Sequence, residues 1–180
     1  MNRRRLLLAV LGAVLAPPAA PAAGEASTVV YGGRITRATV LARAHDWLRR
    51  GVPYSQHNAR TRWDLNRGRR YRPDCSGFVC MAWAVDSRDP RYGRALTTWE
   101  LPRVADPIAW SALRPGDILL RTKKNRRRDH VRLFEAWGDP AHGTVTVIES
   151  SGKAGGMRRN RVVVARAARH YRPYRYRKIV

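Results

Sequence analysis

The sequence predicts an α+β domain in which a helix that carries a cysteine packs on an antiparallel sheet of about five strands. Two segments in the first half of the chain, 36–50 and 74–85, have the character of helices. The second half contains short segments rich in Val, Ile, Leu and aromatic residues, separated by glycine, proline and charged residues. Helices followed by a run of strands are typical of α+β folds, and 180 residues suit one such domain.

The first 22 residues have the pattern of a secretory signal peptide. A basic start that contains Arg3 and Arg4 precedes an uncharged apolar run at 6–16, which is too short for a comfortable membrane span. Residues 20–22 form a small-x-small cleavage site, and 24–26 form a second one. We therefore expect a protein that is exported to the cell envelope or secreted, through the Sec or the twin-arginine route. An uncleaved membrane anchor is the alternative.

Residues 27–35 are predicted to form an arm, and one catalytic domain follows at 36–180. In the first helix, apolar residues recur at helical spacing and Gly51 stands where the helix would end. Residues 52–73 are aromatic and basic and contain two prolines, which indicates an irregular loop.

A second helix is predicted to begin after Asp74, which can act as its N-cap. Its residues are apolar on all sides, so it should be buried. After a connection at 86–112, the turn Leu-Arg-Pro-Gly-Asp at 113–117 leads into the sheet. Strands are predicted at 117–121, 130–137, 144–150, 161–165 and 174–179.

Cys75 is the candidate nucleophile. It stands at the predicted N-terminus of the second helix, where free N–H groups and the helix dipole stabilise a thiolate. Backbone N–H groups near Ser76 could also face an oxyanion, and Gly77 would let a substrate or a neighbouring helix approach closely. Cys80 lies in the middle of the helix, points to another face and is assigned to the core, so no disulfide with Cys75 is expected.

A nucleophilic cysteine needs a base, and His130 is the best placed of the five histidines because it opens a predicted strand. His57, in the irregular loop, stays an alternative. The remaining three are interpreted as ordinary polar residues: His45 lies in the first helix, His142 in a glycine- and proline-rich turn, and His170 in an arginine-rich segment.

Strand pairing yields a third candidate. If 130–137 and 144–150 form a hairpin, residues whose numbers sum to about 281 lie opposite each other, and Glu149 faces Arg132. Because side chains alternate, Glu149 is then a diagonal neighbour of His130 and could orient the imidazole. The alternative is that Glu149 only neutralises nearby arginine.

The formal net charge is +23, which implies attraction to polyanions. The chain has no zinc-finger spacing, no basic region with heptads and no aromatic RNA-binding pattern, so we expect no specific nucleic-acid partner. An anionic envelope polymer suits an exported protein better; an arginine-rich solvated surface is the alternative. The basic run at 123–128, just before His130, could attract carboxylates, or could be a solvated hairpin tip.

Three motifs together resemble the NlpC-type cell-wall peptidases, which have a papain-like fold. They are Asp-Cys-Ser-Gly-Phe-Val at 74–79, Leu-Arg-Pro-Gly-Asp-Ile-Leu at 113–119, and His130-Val131 at the start of a strand. They occur in the family's order and span nearly all of 36–151. The resemblance implies that Tyr54, in Gly-Val-Pro-Tyr, lines the substrate cleft.

The chain departs from the family's pattern at two places. Tyr54 is followed by Ser-Gln-His-Asn at 55–58 where the family has a Trp-Gly-Gly-like turn, and Glu149 stands where the third residue is most often polar and histidine-like. We expect Tyr54, Gln56 and Ser76 to contact substrate or oxyanion.

The sequence therefore predicts an exported thiol hydrolase that cuts a peptide or amide bond of peptidoglycan through Cys75, His130 and Glu149. We expect no metal, no cofactor and a monomer. The alternatives are a papain-like amidase or acyltransferase with a non-wall substrate, and a basic wall-binding protein without catalysis.

Overall fold

The computed structural model describes residues 29–86, 95–123, 128–139 and 143–180 of the chain. Within them, three α-helices and two antiparallel sheets confirm the predicted α+β class. The predicted signal peptide at 1–22 and the start of the arm at 27–35 lie outside the described residues, as does His142.

The helices are α1 (Arg37–Arg49), α2 (Cys75–Ala82) and α3 (Val164–Ala168). A small sheet pairs β1 (Arg62–Trp63) with β2 (Arg70–Tyr71). The large sheet has six strands in the order β3-β8-β4-β5-β6-β7. These strands are β3 (Ala105–Pro107), β4 (Ile118–Arg121), β5 (His130–Trp137), β6 (Thr144–Ser151), β7 (Gly156–Val163) and β8 (Arg172–Tyr176).

The predicted elements agree with the structure for α1, β4, β5 and β6, and differ elsewhere. The second helix ends at Ala82 rather than near Val85, because Ala84 adopts a φ of 51°, in the left-handed region. The strand predicted at 161–165 begins at Gly156 and gives way to α3 after Val163, and the last strand lies at 172–176 rather than 174–179. The strands β1, β2 and β3 are additional to the prediction, in segments interpreted as loops.

Helix α1 carries a buried charge that links it to three other segments. Thr36 caps the helix by accepting a hydrogen bond from the Thr39 N–H at 3.1 Å. The fully buried guanidinium of Arg43 donates to Asp64 at 2.9 Å and to the Met81 carbonyl at 2.8 Å. Asp64 also accepts from the hydroxyl of Tyr31 at 2.6 Å. The arm, the small sheet and both long helices are therefore linked through one buried ion pair.

The two faces of the large sheet pack against different partners. Val131 and Leu133 of β5 lie in the core that contains α1 and α2. Phe134 lies in a second core on the other face, with Ala167 and Tyr171 from α3 and the segment after it. Because side chains alternate along a strand, His130 belongs to the face of Phe134, at the end of the sheet where β5 begins.

The Pro-Gly-Asp turn before β4 is fixed by its aspartate. The carboxylate of Asp117 is fully buried and accepts from Arg37 at 3.1 Å, from Arg175 at 2.8 Å and from the Arg114 N–H at 2.8 Å. Gly116 adopts a φ of 90°, which a residue with a side chain rarely adopts. The turn thus anchors the sheet to α1. Among the described residues, none of the helices has the length and apolar character needed to span a membrane.

Candidate active site

One cleft contains all six residues that the sequence predicts to be catalytic or to contact substrate or oxyanion. It has a volume of about 1210 Å³, larger than the roughly 300–1,000 Å³ of typical small-molecule sites. Its lining includes Cys75, His130, Glu149, Tyr54, Ser76 and Gln56. His57, the alternative base, is not among the lining residues. The structure thus brings together side chains from α2, β5, β6 and the loop after α1.

The start of α2 is built around Asp74. Its carboxylate accepts from the Gly77 N–H at 2.8 Å and from the Arg72 guanidinium at 2.6 Å, which makes it the predicted N-cap. A Cβ added to Gly77 would lie 1.8 Å from the carbonyl oxygen of Arg72. The glycine is therefore required by the loop before the helix, and not by the approach of a substrate or another helix as the sequence suggested.

A hydrogen bond ties the strand of Glu149 to the loop that precedes Cys75. Ser150 of β6 donates to the carbonyl of Pro73 at 2.9 Å, and the Ser55 N–H donates to the same oxygen at 3.2 Å. Tyr54 is held in turn by the bond from its N–H to the Gly155 carbonyl at 2.9 Å. These bonds set the separation between the helix terminus and the sheet.

The thiol of Cys75 is largely covered, with 9% of the residue exposed. Burial, and then the charge of Asp74, raise the pKa of Cys75 to about 12, while the backbone N–H groups of Val131, Ser76 and Cys75 itself act in the opposite direction. The helix N-terminus thus favours the thiolate as expected, but burial outweighs it. At neutral pH the side chain is therefore a thiol, and attack by its sulfur would require a base.

The base candidate is bonded to the predicted carboxylate. Leu133 pairs with Ile148 and Phe134 with Val147, which is the predicted hairpin register, and a bulge shifts the register only beyond Phe134. The Nε2 atom of His130 lies 2.5 Å from Oε2 of Glu149. This contact uses one ring nitrogen, which leaves Nδ1 as the nitrogen that can exchange a proton with a thiol.

Glu149 also binds three other side chains. Its fully buried carboxylate accepts from Arg132 at 2.8 Å, from Arg158 at 2.9 Å and from the amide of Asn160. Burial raises the pKa of Glu149, but the hydrogen bond from His130 and the charge of Arg132 outweigh burial and hold that pKa well below its usual range. Glu149 therefore contacts the histidine and also neutralises arginine, so the interpretation that it only neutralises arginine does not describe all of its contacts.

Tyr54, Gln56 and Ser76 lie on the cleft wall. The hydroxyl oxygen of Tyr54 accepts from the Gln56 amide at 3.0 Å. Burial, then the nearby Cys75 and Asp74, raise the pKa of Tyr54 to about 12, so its hydroxyl stays neutral and can donate a hydrogen bond into the cleft. The hydroxyl of buried Ser76 points to Asp74, at 3.4 Å, and Gln56 is exposed.

The cleft contains residues that the sequence did not single out. The ring of Tyr171 contacts two guanidinium groups, with its centre 5.1 Å from that of Arg121 and 4.7 Å from that of Arg132. Trp99, 42% exposed, lines the cleft as well. Arg121 pairs with His130 across β4 and β5. The strands predicted at 117–121 and 130–137 end and begin at these two residues, so a pairing of those strands would have indicated that Arg121 lies beside His130. No sequence pattern indicated Tyr171, because only the folded chain brings it to the sheet.

The basic run at 123–128 is described only at its ends. Lys123 and Arg128 line a second pocket of about 490 Å³, together with Arg121 and His170. Arg121 lines both spaces, so this pocket adjoins the cleft. His170, interpreted from the sequence as an ordinary polar residue, thus lies beside the site.

Cys80 is fully buried and lies 3.8 Å from the carbonyl of Leu96, in the core as predicted. Both cysteines are free. In the described part of the chain, no three His, Cys, Asp or Glu side chains are grouped in a way that could hold a metal ion. Comparison of the sequence with protein-family models gave no match. Comparison with curated proteins also gave no significant match.

Proposed function

We propose that the protein is an exported cysteine hydrolase with a papain-like arrangement, which cuts a peptide or amide bond of bacterial peptidoglycan. The observation that carries the proposal is one cleft lined both by a cysteine at a helix N-terminus and by a histidine that is bonded to a buried carboxylate. In this proposal Cys75 is the nucleophile, His130 the base and then the acid, and Glu149 the residue that orients His130.

The first chemical step follows from the protonation states. Because the resting Cys75 is a thiol, Nδ1 of His130 takes its proton as the sulfur attacks the carbonyl carbon of the substrate. Glu149 is ionised and offsets the positive charge of the imidazolium. The two arginines on Glu149 share its charge, so the offset is smaller than an isolated carboxylate would give.

The following steps return the enzyme to its starting state. The tetrahedral oxyanion would accept hydrogen bonds from the free N–H groups at the start of α2. The C–N bond breaks, and His130 gives its proton to the leaving amine. Water, deprotonated by His130, then attacks the thioester and releases the acid and the free thiol.

Four features support a wall substrate. The pattern at 1–22 is that of an exported protein, and the charge of +23 favours anionic envelope polymers. The ordered motifs at 74–79, 113–119 and 130–131 resemble those of cell-wall peptidases. The cleft volume of about 1210 Å³ exceeds that of typical small-molecule sites, which suits a peptide substrate.

Digestion of purified peptidoglycan, followed by mass spectrometry of the released fragments, tests the proposal. The wild-type protein should release fragments with new amino and carboxyl groups, and Cys75→Ala should release none. Cys80→Ala is the matched control, because it removes the other thiol, which lies in the core. Full hydrolysis by Cys75→Ala would show that the mechanism is wrong.

The burial of Cys75 favours a second candidate, a basic wall-binding protein without catalysis. That protein would bind purified wall equally well with and without the Cys75 thiol and would release no fragments. Co-sedimentation with wall, measured beside the digestion, separates the two candidates.

A further inference from the structure

The side chain of Arg121 is held at the active site by an aromatic ring. It pairs with His130 across β4 and β5, which places the two side chains on the same face of the sheet. Its guanidinium lies 5.1 Å from the centre of the Tyr171 ring. Tyr171 is only 4% exposed, and the guanidinium of Arg132 also lies against its ring, 4.7 Å from the centre. Arg121 is thus oriented by a cation–π contact.

Arg121 differs from the other arginines of the cleft because its charge is not neutralised. Arg72 is paired with Asp74, and Arg132 and Arg158 are both paired with Glu149. In contrast, no described carboxylate lies within ion-pair distance of Arg121, and its buried Nε has no hydrogen-bond partner.

Asp129, which precedes His130 in the chain, does not supply the missing charge either. Asp129 lines the cleft, but its Oδ1 accepts from the backbone N–H of Lys123 and its Oδ2 has no partner. Lys153 also lacks a described carboxylate partner, but it is exposed and can be solvated by water.

The pocket beside Arg121 has a strongly basic lining. Its described lining consists of Arg121, Lys123, Arg128 and His170, with no acidic residue. Three permanent cations around a space of about 490 Å³ repel one another unless an anion lies between them. Guanidinium and ammonium groups bind carboxylate and phosphate oxygens through charge-assisted hydrogen bonds.

We propose that this pocket is an anion-binding subsite that receives an acidic group of the substrate. The substrate would carry a carboxylate or phosphate group. The distance from this group to the bond that is cut would match the distance from Arg121 to Cys75 and His130. The inference rests on the proposed function for the identity of the substrate, but the pocket's affinity for anions can be measured without any reaction.

Calorimetric titration of the full chain carrying Cys75→Ala tests the subsite, because this variant binds without turnover. The probes are inorganic phosphate, acetate, and a synthetic wall peptide with either free or amidated carboxylates. Arg121→Gln should weaken binding of the free-acid peptide about tenfold and leave the amidated peptide unchanged. Arg166→Gln, which removes an exposed arginine on α3, is the matched control and should change neither.

Lys123→Gln provides a second variant, since Lys123 is exposed and its substitution does not disturb the stack on Tyr171. Lys123→Gln should also weaken binding of the free-acid peptide. If phosphate binds more tightly than acetate and the peptide, and if its binding depends on Arg121, a phosphate polymer would be identified as the source of the acidic group. Unchanged binding of every anion in both variants would overturn the subsite. A wild-type protein that binds phosphate through Arg121 but cuts no wall would overturn the proposed function alone.

Discussion

The imidazole of His130 and the carboxylate of Glu149 lie 2.5 Å apart, across a hairpin whose register places them as diagonal neighbours. The same carboxylate binds two arginines, so it is the proposed orienting group and also the counter-charge of a small basic cluster. These two roles can be separated by measuring turnover and stability in the same variants.

Glu149→Gln should lower kcat by about a hundredfold or more, because the imidazole loses its charged partner and its fixed orientation. The substitution also leaves Arg132 and Arg158 without their counter-ion, so the midpoint of urea unfolding should fall as well. Arg158→Gln is the control: it disturbs the basic cluster but keeps the contact with His130, so kcat should stay within a few-fold. A purely structural role for Glu149 would instead appear as equal effects of both variants on kcat.

Alkylation of Cys75 should become faster as the pH rises, with no plateau between pH 6 and 9. Burial raises the pKa of Cys75 to about 12, so the thiolate fraction grows about tenfold with each pH unit in that window. The rate of alkylation by iodoacetamide can be measured in a Cys80→Ala background, so that Cys75 is the one thiol that reacts. His130→Ala should have the same profile. Rapid alkylation at pH 5 that is lost in His130→Ala would instead show a preformed ion pair.

Gly77→Ala should destabilise the protein by about 3 kcal/mol and abolish turnover, because its Cβ would overlap the carbonyl of Arg72. The clash moves the loop that orients Asp74 and Cys75. Gly51→Ala is the comparison: no atom lies within 4 Å of its Cβ, and only its φ of 55° opposes the change, at a cost of about 1 kcal/mol. Urea unfolding of both variants would contradict the clash if the two costs were equal.

Asp117→Ala should be among the most destabilising single substitutions in the sheet, at about 3–5 kcal/mol, since it leaves Arg37 and Arg175 without the buried carboxylate that both contact. Asp106→Ala removes a carboxylate from the exposed pair with Arg177 and should cost less than about 1 kcal/mol. Thermal or urea unfolding gives both values. Similar losses of stability in the two variants would show that the burial of Asp117 does not determine its contribution to the free energy of unfolding.

The sequence was sufficient for those parts of the fold and site that local periodicity determines. The register that joins His130 to Glu149 follows from the two-residue repeat of a strand and the length of one loop, and the structure has that register. The N-cap at Asp74 follows in the same way from local chemistry.

Other features depend on contacts distant in sequence, which no local pattern encodes. The strand β7 is rich in arginine and lacks the apolar alternation of a half-buried strand, yet eight pairs with β6 define it. Tyr171 reaches the cleft because β8 returns between β3 and β4. The raised pKa of Cys75 was also missed, because burial of the helix terminus is a tertiary property.

Tyr54→Phe should lower kcat/KM by about tenfold while leaving the free energy of unfolding nearly unchanged. The hydroxyl lies in the cleft close enough to Cys75 for the two to interact electrostatically, and its pKa of about 12 keeps it a neutral donor at working pH. Gln56, whose amide donates to this hydroxyl, is exposed, so little stability depends on that bond. Gln56→Ala is the control and should change kcat/KM less than Tyr54→Phe. If the two variants reduced kcat/KM equally, the hydroxyl would act by positioning Gln56 rather than by donating a hydrogen bond to the substrate.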